Sequence, residues 1–237
     1  MDATQAGRRV RAVVFDLDGV LLDSEGAWLQ VRRDYARSLG CVWTDADHAA
    51  SMGSNLEGGS RIMVERLRLQ RSPEQVAQDL LERMRQFYVE RVAACAGAVD
   101  AVRRMAASFR LGLATGSPAA LAEPALRRLG LLDHFAACVY GDQVMHGKPS
   151  PEIYLKTVAA LGVEPTQAVG VEDSANGLRA LHAAGLGAVA RVDPAFPPTP
   201  DALALADVQL QHLDALDAAV IQRAAAARAS QTRAGRV

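Results

Sequence analysis

Two aspartates, Asp16 and Asp18, follow a short apolar run and precede Gly19. In an extended segment, residues two apart project to the same side, so both carboxylates face one pocket. Such a pair needs a cation, or one member must hold a proton. Glu172 and Asp173 form a second acidic pair at the end of the apolar run Ala168–Val171. Together they offer oxygen ligands to a hard cation such as Mg²⁺, which also keeps waters and phosphate oxygens in its shell. Thr115 and Ser117 follow a third run, Arg110–Ala114, and Pro118 opens the helix after them. Hydroxyls and free N–H groups at a helix start bind phosphate as well as capping the helix. Lys148 lies in Gly147-Lys148-Pro149, and it and Lys156 are the only lysines among 26 basic residues. A compact ammonium suits a site crowded by metal and phosphate. Taken singly, each motif has a plainer reading: a turn at Asp16–Gly19, helix caps at Thr115, Ser117, Asp173 or Ser174, a solvated lysine in a proline turn.

The elements that must position these residues are legible as periodicity. Val10–Leu17 is a buried-strand run, followed by predicted strands at Arg110–Ala114, Ala136–Tyr140, Ala168–Val171 and Ala188–Arg191. Helical segments alternate with them at Ala98–Ser108, from Pro118 to Leu129, at Pro151–Leu161 and at Ala175–Ala184. Alternation of this kind implies a doubly wound parallel sheet in an α/β core. The acidic and hydroxyl clusters fall just past strand C-termini, where open parallel sheets bind ligands. From Ser24 to about Val92 the pattern is helical instead. Trp28, Val31, Tyr35 and Leu39 recur at helical spacing, as do Val76, Leu80, Met84 and Phe87, and less cleanly Ile62, Val64 and Leu67. Ser72-Pro73-Glu74-Gln75 is a helix start. The expected organisation is a discontinuous core at 9–22 and 95–222, an all-helical cap at 23–94, a loose leader at 1–8 and a basic disordered tail at 223–237.

Composition limits the partners. The chain has 237 residues, 50% hydrophobic and 22% charged, with net charge −1, the profile of a soluble globular protein. Near-neutrality gives no bulk reason to bind nucleic acid. No uncharged apolar stretch approaches 18 residues, and Ala12–Phe15 is too short for a signal-peptide core; no membrane span is expected. Cys41, Cys95 and Cys138 are few and odd in number, so a reducing cytoplasm is the expected location. The five histidines have no ligand-like spacing and are expected at the surface or in packing.

In order, the motifs are Asp16-Leu17-Asp18-Gly19-Val20, Leu113-Ala114-Thr115-Gly116-Ser117, Lys148-Pro149-Ser150-Pro151-Glu152 and Val171-Glu172-Asp173-Ser174-Ala175-Asn176-Gly177. The chain resembles the haloacid dehalogenase superfamily over about residues 10–215, in particular the β-phosphoglucomutase-like and sugar-phosphate phosphatases with a helical cap between the first two motifs. The resemblance implies a Rossmann-like core and hydrolysis of a small phosphorylated metabolite, sugar- or polyol-like. Asp16 is then the nucleophile, carrying the phosphoryl group as an aspartyl phosphate, and Asp18 the acid and base. Thr115 and Lys148 hold phosphoryl oxygens. Mg²⁺ is held by Asp16, the backbone carbonyl of Asp18, Glu172 and Asp173. Gly116 and Ser117 are expected to meet the substrate from the core, and Gly53, Ser54 and Asn55 from the cap. A monomer or weak homodimer is the expected state.

Departures from the pattern matter. The mutase branch has a histidine where this chain has Trp28 and an arginine where it has Leu56, and a proline often stands at the position of Ala96. The dehalogenase branch lacks the equivalent of Asp18. Two other readings stand beside the phosphatase: a phosphomutase, and a catalytically idle protein that binds a phosphometabolite. In the cap, Arg61 is the candidate for reaching a substrate anion, and the tryptophans are expected to be cap core.

Overall fold

The structure is a computed structural model that describes residues 9–234; the leader at 1–8 and residues 235–237 lie outside the described residues. Its centre is β1 (Ala12–Phe15), four apolar residues, all buried. A strand buried on both faces needs apolar side chains at every position. Val13 and Phe15 enter one hydrophobic cluster, Ala12 and Val14 another, which is the two-residue alternation of a strand expressed in packing.

β1 pairs with β4 (Arg110–Ala114) on one side and β6 (Ala168–Glu172) on the other. With β5 (Phe135–Val139), β7 (Gly187–Arg191) and β8 (Val208–Leu210) the order is β5-β4-β1-β6-β7-β8, every pairing parallel. The cluster on one face takes in residues of α5 (Ala98–Ala106), α6 (Ala119–Arg128) and α10 (Ala218–Ala234). The other is filled by α7 (Glu152–Ala160), α8 (Ala175–Ala184) and the short α9 (Pro200–Leu203). The expected doubly wound α/β core is therefore present. β8 and α9 escape the sequence pattern because three or four residues carry no periodicity.

Between β1 and α5 lies the helical layer: α1 (Glu25–Ser38), α2 (Asp45–Ser51), α3 (Leu56–Leu67) and α4 (Pro73–Glu90). Ser72 and Gln75 cap α4 reciprocally, and Thr44 and Asp47 do the same for α2. Tyr35, Trp43, Met63, Val76 and Leu80 form the centre of this layer. The chain passes out and back through a two-stranded antiparallel ribbon, β2 (Leu22–Asp23) with β3 (Ala93–Ala94). The sequence shows no strand there because two-residue strands leave no pattern.

Three expectations change in detail. In α4 the fully buried stripe runs Val76, Leu80, Met84, Tyr88, a strict i, i+4 row, and Phe87 packs half-buried beside it. In α1 the polar Arg32 is buried, while Leu39, just past the helix end, is exposed. The basic tail is helical as far as residue 234, and residues 235–237 lie outside the described residues. α10 runs to Ala234 and buries Val220, Ile221 and Ala224 against the sheet. Arg228, also buried, bonds the Leu205 carbonyl and pairs with Asp207 at the start of β8. The tail's alanines supply a flat apolar face, and its arginines are spent partly on tertiary contacts.

Replacing Ile221 with Ala tests this directly. If α10 is part of the core, the substitution lowers unfolding stability by about 2–5 kcal/mol, read from urea unfolding. A loss under about 0.5 kcal/mol identifies a frayed tail instead.

Candidate active site

The sheet order sets the site. β1 lies between β4 and β6, so residues just past the C-termini of three neighbouring strands meet at one edge. Asp16 follows β1, Thr115 follows β4, and Glu172 and Asp173 end β6. Asp16, Thr115, Lys148, Glu172 and Asp173 are all buried. Lys148 reaches in from the loop after β5. Its Nζ donates to Asp16 Oδ1 at 2.7 Å and to Glu172 Oε1. Glu172 also accepts from the Tyr154 hydroxyl at 2.7 Å and from the Asp173 and Ser174 backbone N–H groups.

Carboxylate oxygens of Asp16, Glu172 and Asp173 lie within 4.8 Å of one another. Burial pushes the Asp16 carboxyl well above the usual carboxylate range, against the opposing pull of Lys148. Burial and the neighbouring Glu172 do the same to Asp173. For Glu172, burial also opposes the charge, but Lys148 and its other donors win and hold it below the usual value. One ammonium among three carboxylates leaves the cluster short of positive charge. Asp173 Oδ2 has no hydrogen-bond partner. Gly19, at φ +70°, makes space beside it: a Cβ there would lie 1.8 Å from that oxygen. An all-oxygen donor set, a charge deficit and an orphaned carboxylate oxygen fit a hard divalent cation.

Asp18 sits above this cluster, at the join with the helical layer. Its carboxylate meets Ser24 Oγ at 2.5 Å and Ser117 Oγ at 2.6 Å, the Tyr88 hydroxyl, and Trp28 Nε1 at 3.4 Å. Burial and the nearby Asp18 push the Tyr88 phenol well above its ordinary range, so it remains protonated. A hydroxyl can donate to a carboxylate or accept from a carboxyl; three of the four contacts therefore serve both protonation states of Asp18. The sequence pattern did not single out Tyr88. The i, i+4 row from Val76 was the available signal.

The helical layer is docked on the core through its loop at 50–55. Asn176 Nδ2 donates to the carbonyls of Ala50 and Met52, at 3.1 and 2.9 Å. Gly53, at φ +73°, lies so close that a Cβ would meet Ser174 Oγ at 2.1 Å. A narrow cleft remains between the layers, lined by Asp16, Asp18, Trp28, Arg32, Gly53 and Ser54 among others. Gly116 and Ser117 line it as well.

Not every expected residue faces this cleft. Asn55 caps α3 through Gly58 N and donates to the Gly141 carbonyl at 3.2 Å; it is absorbed by docking. Arg61 pairs with Glu57 on an exposed helix face and is not among the lining residues. Arg32 and Glu25 line it instead. His48 is buried behind Arg32, 3.2 Å from its Nη1. Trp28 is buried as expected of cap core, yet it also touches Asp18.

Known proteins share this arrangement. The family model of the haloacid dehalogenase-like hydrolases matches residues 10–185. The chain is 36% identical over 178 residues to a phosphorylated carbohydrates phosphatase of Thermotoga maritima, covering 75% of this chain and 82% of the relative. It is 33% identical to hexitol phosphatase B of Escherichia coli K12, covering 89% and 96%. Among solved structures, CbbY from Rhodobacter sphaeroides in complex with phosphate superposes with a TM-score of 0.75 at 27% identity, covering 90% of this chain and 99% of that one. With its motifs at adjoining strand ends and a family match across most of its length, the chain belongs to the haloacid dehalogenase-like hydrolases.

Proposed function

We propose that the protein is a Mg²⁺-dependent phosphatase that hydrolyses a small sugar- or polyol-like phosphomonoester through an aspartyl phosphate on Asp16. The observation that carries this reading is the pair Asp16 and Asp18, one buried against Lys148 and the other at the mouth of the cleft. Relatives that act on phosphorylated carbohydrates and hexitol phosphates support the substrate class.

The chemistry divides into two displacements. An Asp16 oxygen attacks phosphorus, the bond to the leaving oxygen breaks, and Asp18 gives that oxygen its proton. Asp18, now a carboxylate, then takes a proton from water as that water attacks the phosphoryl group on Asp16. Inorganic phosphate leaves and Asp16 is restored. Lys148 uses two of its three donors on Asp16 and Glu172, leaving the third for a phosphoryl oxygen. The Thr115 hydroxyl already accepts from Ser117 N–H at 3.0 Å, which leaves its own proton to donate. Asp16, Glu172 and Asp173, with the Asp18 carbonyl, would hold Mg²⁺, which when bound offsets negative charge on the phosphoryl oxygens. The ribbon β2–β3 is the natural hinge between a core of 9–22 plus 95–222 and a cap of 23–94, placing Ser24, Trp28 and Tyr88 on Asp18 when the layers close.

Water is the expected acceptor. A mutase must shield the aspartyl phosphate until a second alcohol arrives, and Trp28, which has no titratable proton, stands where the mutase branch has a histidine.

Two outcomes follow from this reading. Asp16→Asn lowers turnover of phosphomonoesters by at least about 10⁴-fold, measured as phosphate release; activity within tenfold of the parent excludes Asp16 as nucleophile. The second concerns the cation. With Asp16 and Asp173 raised by burial, the metal-free fold holds protons that the unfolded chain has released. Its stability therefore falls as pH rises from about 4 toward those folded values. Mg²⁺ displaces those protons, so the gain in Tm on adding it grows with pH. Saturation at about a hundredfold over Kd gives roughly 2.7 kcal/mol, and Asp173→Asn removes most of the gain. A gain that ignores both pH and Asp173 refutes this metal site.

A further inference from the structure

Behind the cleft, the cap holds three polar side chains that the phosphoryl chemistry does not use. Arg32, Glu25 and His48 are 8%, 8% and 2% exposed. They come from two helices, α1 and α2. Arg32 sits over Trp28, its Cζ 4.8 Å from the ring centroid. Its Nη1 lies 3.2 Å from His48 Nδ1, and His48 Nε2 lies 3.4 Å from Glu25 Oε2. Phe196, from the proline-rich loop of the core, closes against the His48 ring at 5.7 Å. The guanidinium is thus held by a ring beneath and an imidazole behind, and the imidazole is backed in turn by a core loop.

The hydrogen-bonding capacity of this cluster is not fully used. Arg32 Nε is buried without a hydrogen bond, and Glu25 Oε2 has no partner beyond the His48 Nε2 that faces it at 3.4 Å; Arg32 and Glu25 both line the cleft. Burial pulls the Arg32 pKa below its usual value, and the charges of Glu25 and Asp18 oppose that pull. An arginine with a free donor would by itself suit a second anion on the substrate. Here a carboxylate stands beside it and a second, Asp18, lies nearby. The charge is offset locally, and an added anion would meet Glu25 and Asp18 as well as Arg32. What remains is a donor without a partner at Arg32 and a carboxylate at Glu25 whose one contact is His48, on two residues that line the same cleft. A hydroxyl is both acceptor and donor, and a run of adjacent hydroxyls satisfies both groups at once.

We infer that Arg32 and Glu25 form a subsite for the hydroxylated body of the substrate, with His48 as a positioning residue behind them. The subsite selects an uncharged polyol or sugar body over one bearing a carboxylate or a second phosphate. This rests on the phosphatase reading above, and deepens it by assigning the discrimination to these two side chains. Selectivity of this kind is large because a buried polar pair left unmatched by the wrong substrate stays desolvated without compensation.

The test measures kcat/KM for hexitol 6-phosphate, phosphoglycolate and ethyl phosphate, which has no hydroxyl, in the parent, Arg32→Met and Glu25→Gln. Each ratio is taken within one preparation, so the fraction of folded enzyme cancels. The ratio of hexitol 6-phosphate to ethyl phosphate falls at least tenfold in both variants, mainly through KM. In Glu25→Gln, phosphoglycolate gains on ethyl phosphate, because the guanidinium is then no longer offset. Ratios within threefold of the parent in either variant overturn the subsite while leaving the phosphatase reading intact. A parent inactive on all three phosphates overturns the phosphatase reading and the subsite together.

Discussion

A buried ammonium between two buried carboxylates is the interaction on which this structure turns. Lys148 touches Asp16 and Glu172, and all three side chains are almost wholly removed from water. Stripping three charges of solvent is costly, and their mutual attraction offsets it only with close geometry and further hydrogen bonds. The fold meets that demand. β1 and β6 are neighbours in register, Asp16 and Glu172 stand at their ends, and Tyr154 and the start of α8 satisfy the remaining Glu172 oxygens. Asp173 is the member left without a hydrogen-bonded oxygen partner at Oδ2. The cluster is thereby electrostatically incomplete, poised for a cation and a phosphoryl group.

Above that fixed floor, Asp18 depends on both layers. Ser117 comes from the core, and Ser24, Trp28 and Tyr88 come from beyond β1 on the helical side. A hydrogen-bond set assembled from two layers is complete only when they are docked. Docking also narrows access of water to the cleft, and polar interactions strengthen as water is excluded. The glycine at 53 and the side-chain amide of Asn176 hold the loop that seals one flank. Burial of the site and completion of the hydrogen-bond set around Asp18 are thus consequences of the same docking.

The core and its charged floor were legible because their signals are local. Asp16-Leu17-Asp18-Gly19 and Glu172-Asp173 follow apolar strands directly, and the strand ends they mark are where the parallel sheet gathers ligands. What escaped was set by tertiary packing. Nothing local in the sequence singles out Arg32, yet it is buried over the Trp28 ring with His48, sixteen residues away, behind it. Tyr88 lies sixty residues from Trp28, with which it shares a hydrogen bond, and nothing nearby in sequence announces that meeting. Asn55 looked like a substrate group and became a helix cap, a role that only the α3 boundary reveals. The basic end looked disordered because alanine and arginine carry no hydrophobic stripe. The sheet supplies the apolar partner that makes it a core helix.

In the proposed mechanism Asp16, and not Asp18, bonds to phosphorus. Peptide mapping by mass spectrometry of enzyme quenched in acid during turnover of a phosphomonoester, with Mg²⁺ present, reads this bond. A phosphoryl adduct is expected on Asp16, lost in mild alkali and absent from Asp16→Asn. An enzyme that turns over with no adduct, or with the adduct on Asp18, contradicts the mechanism.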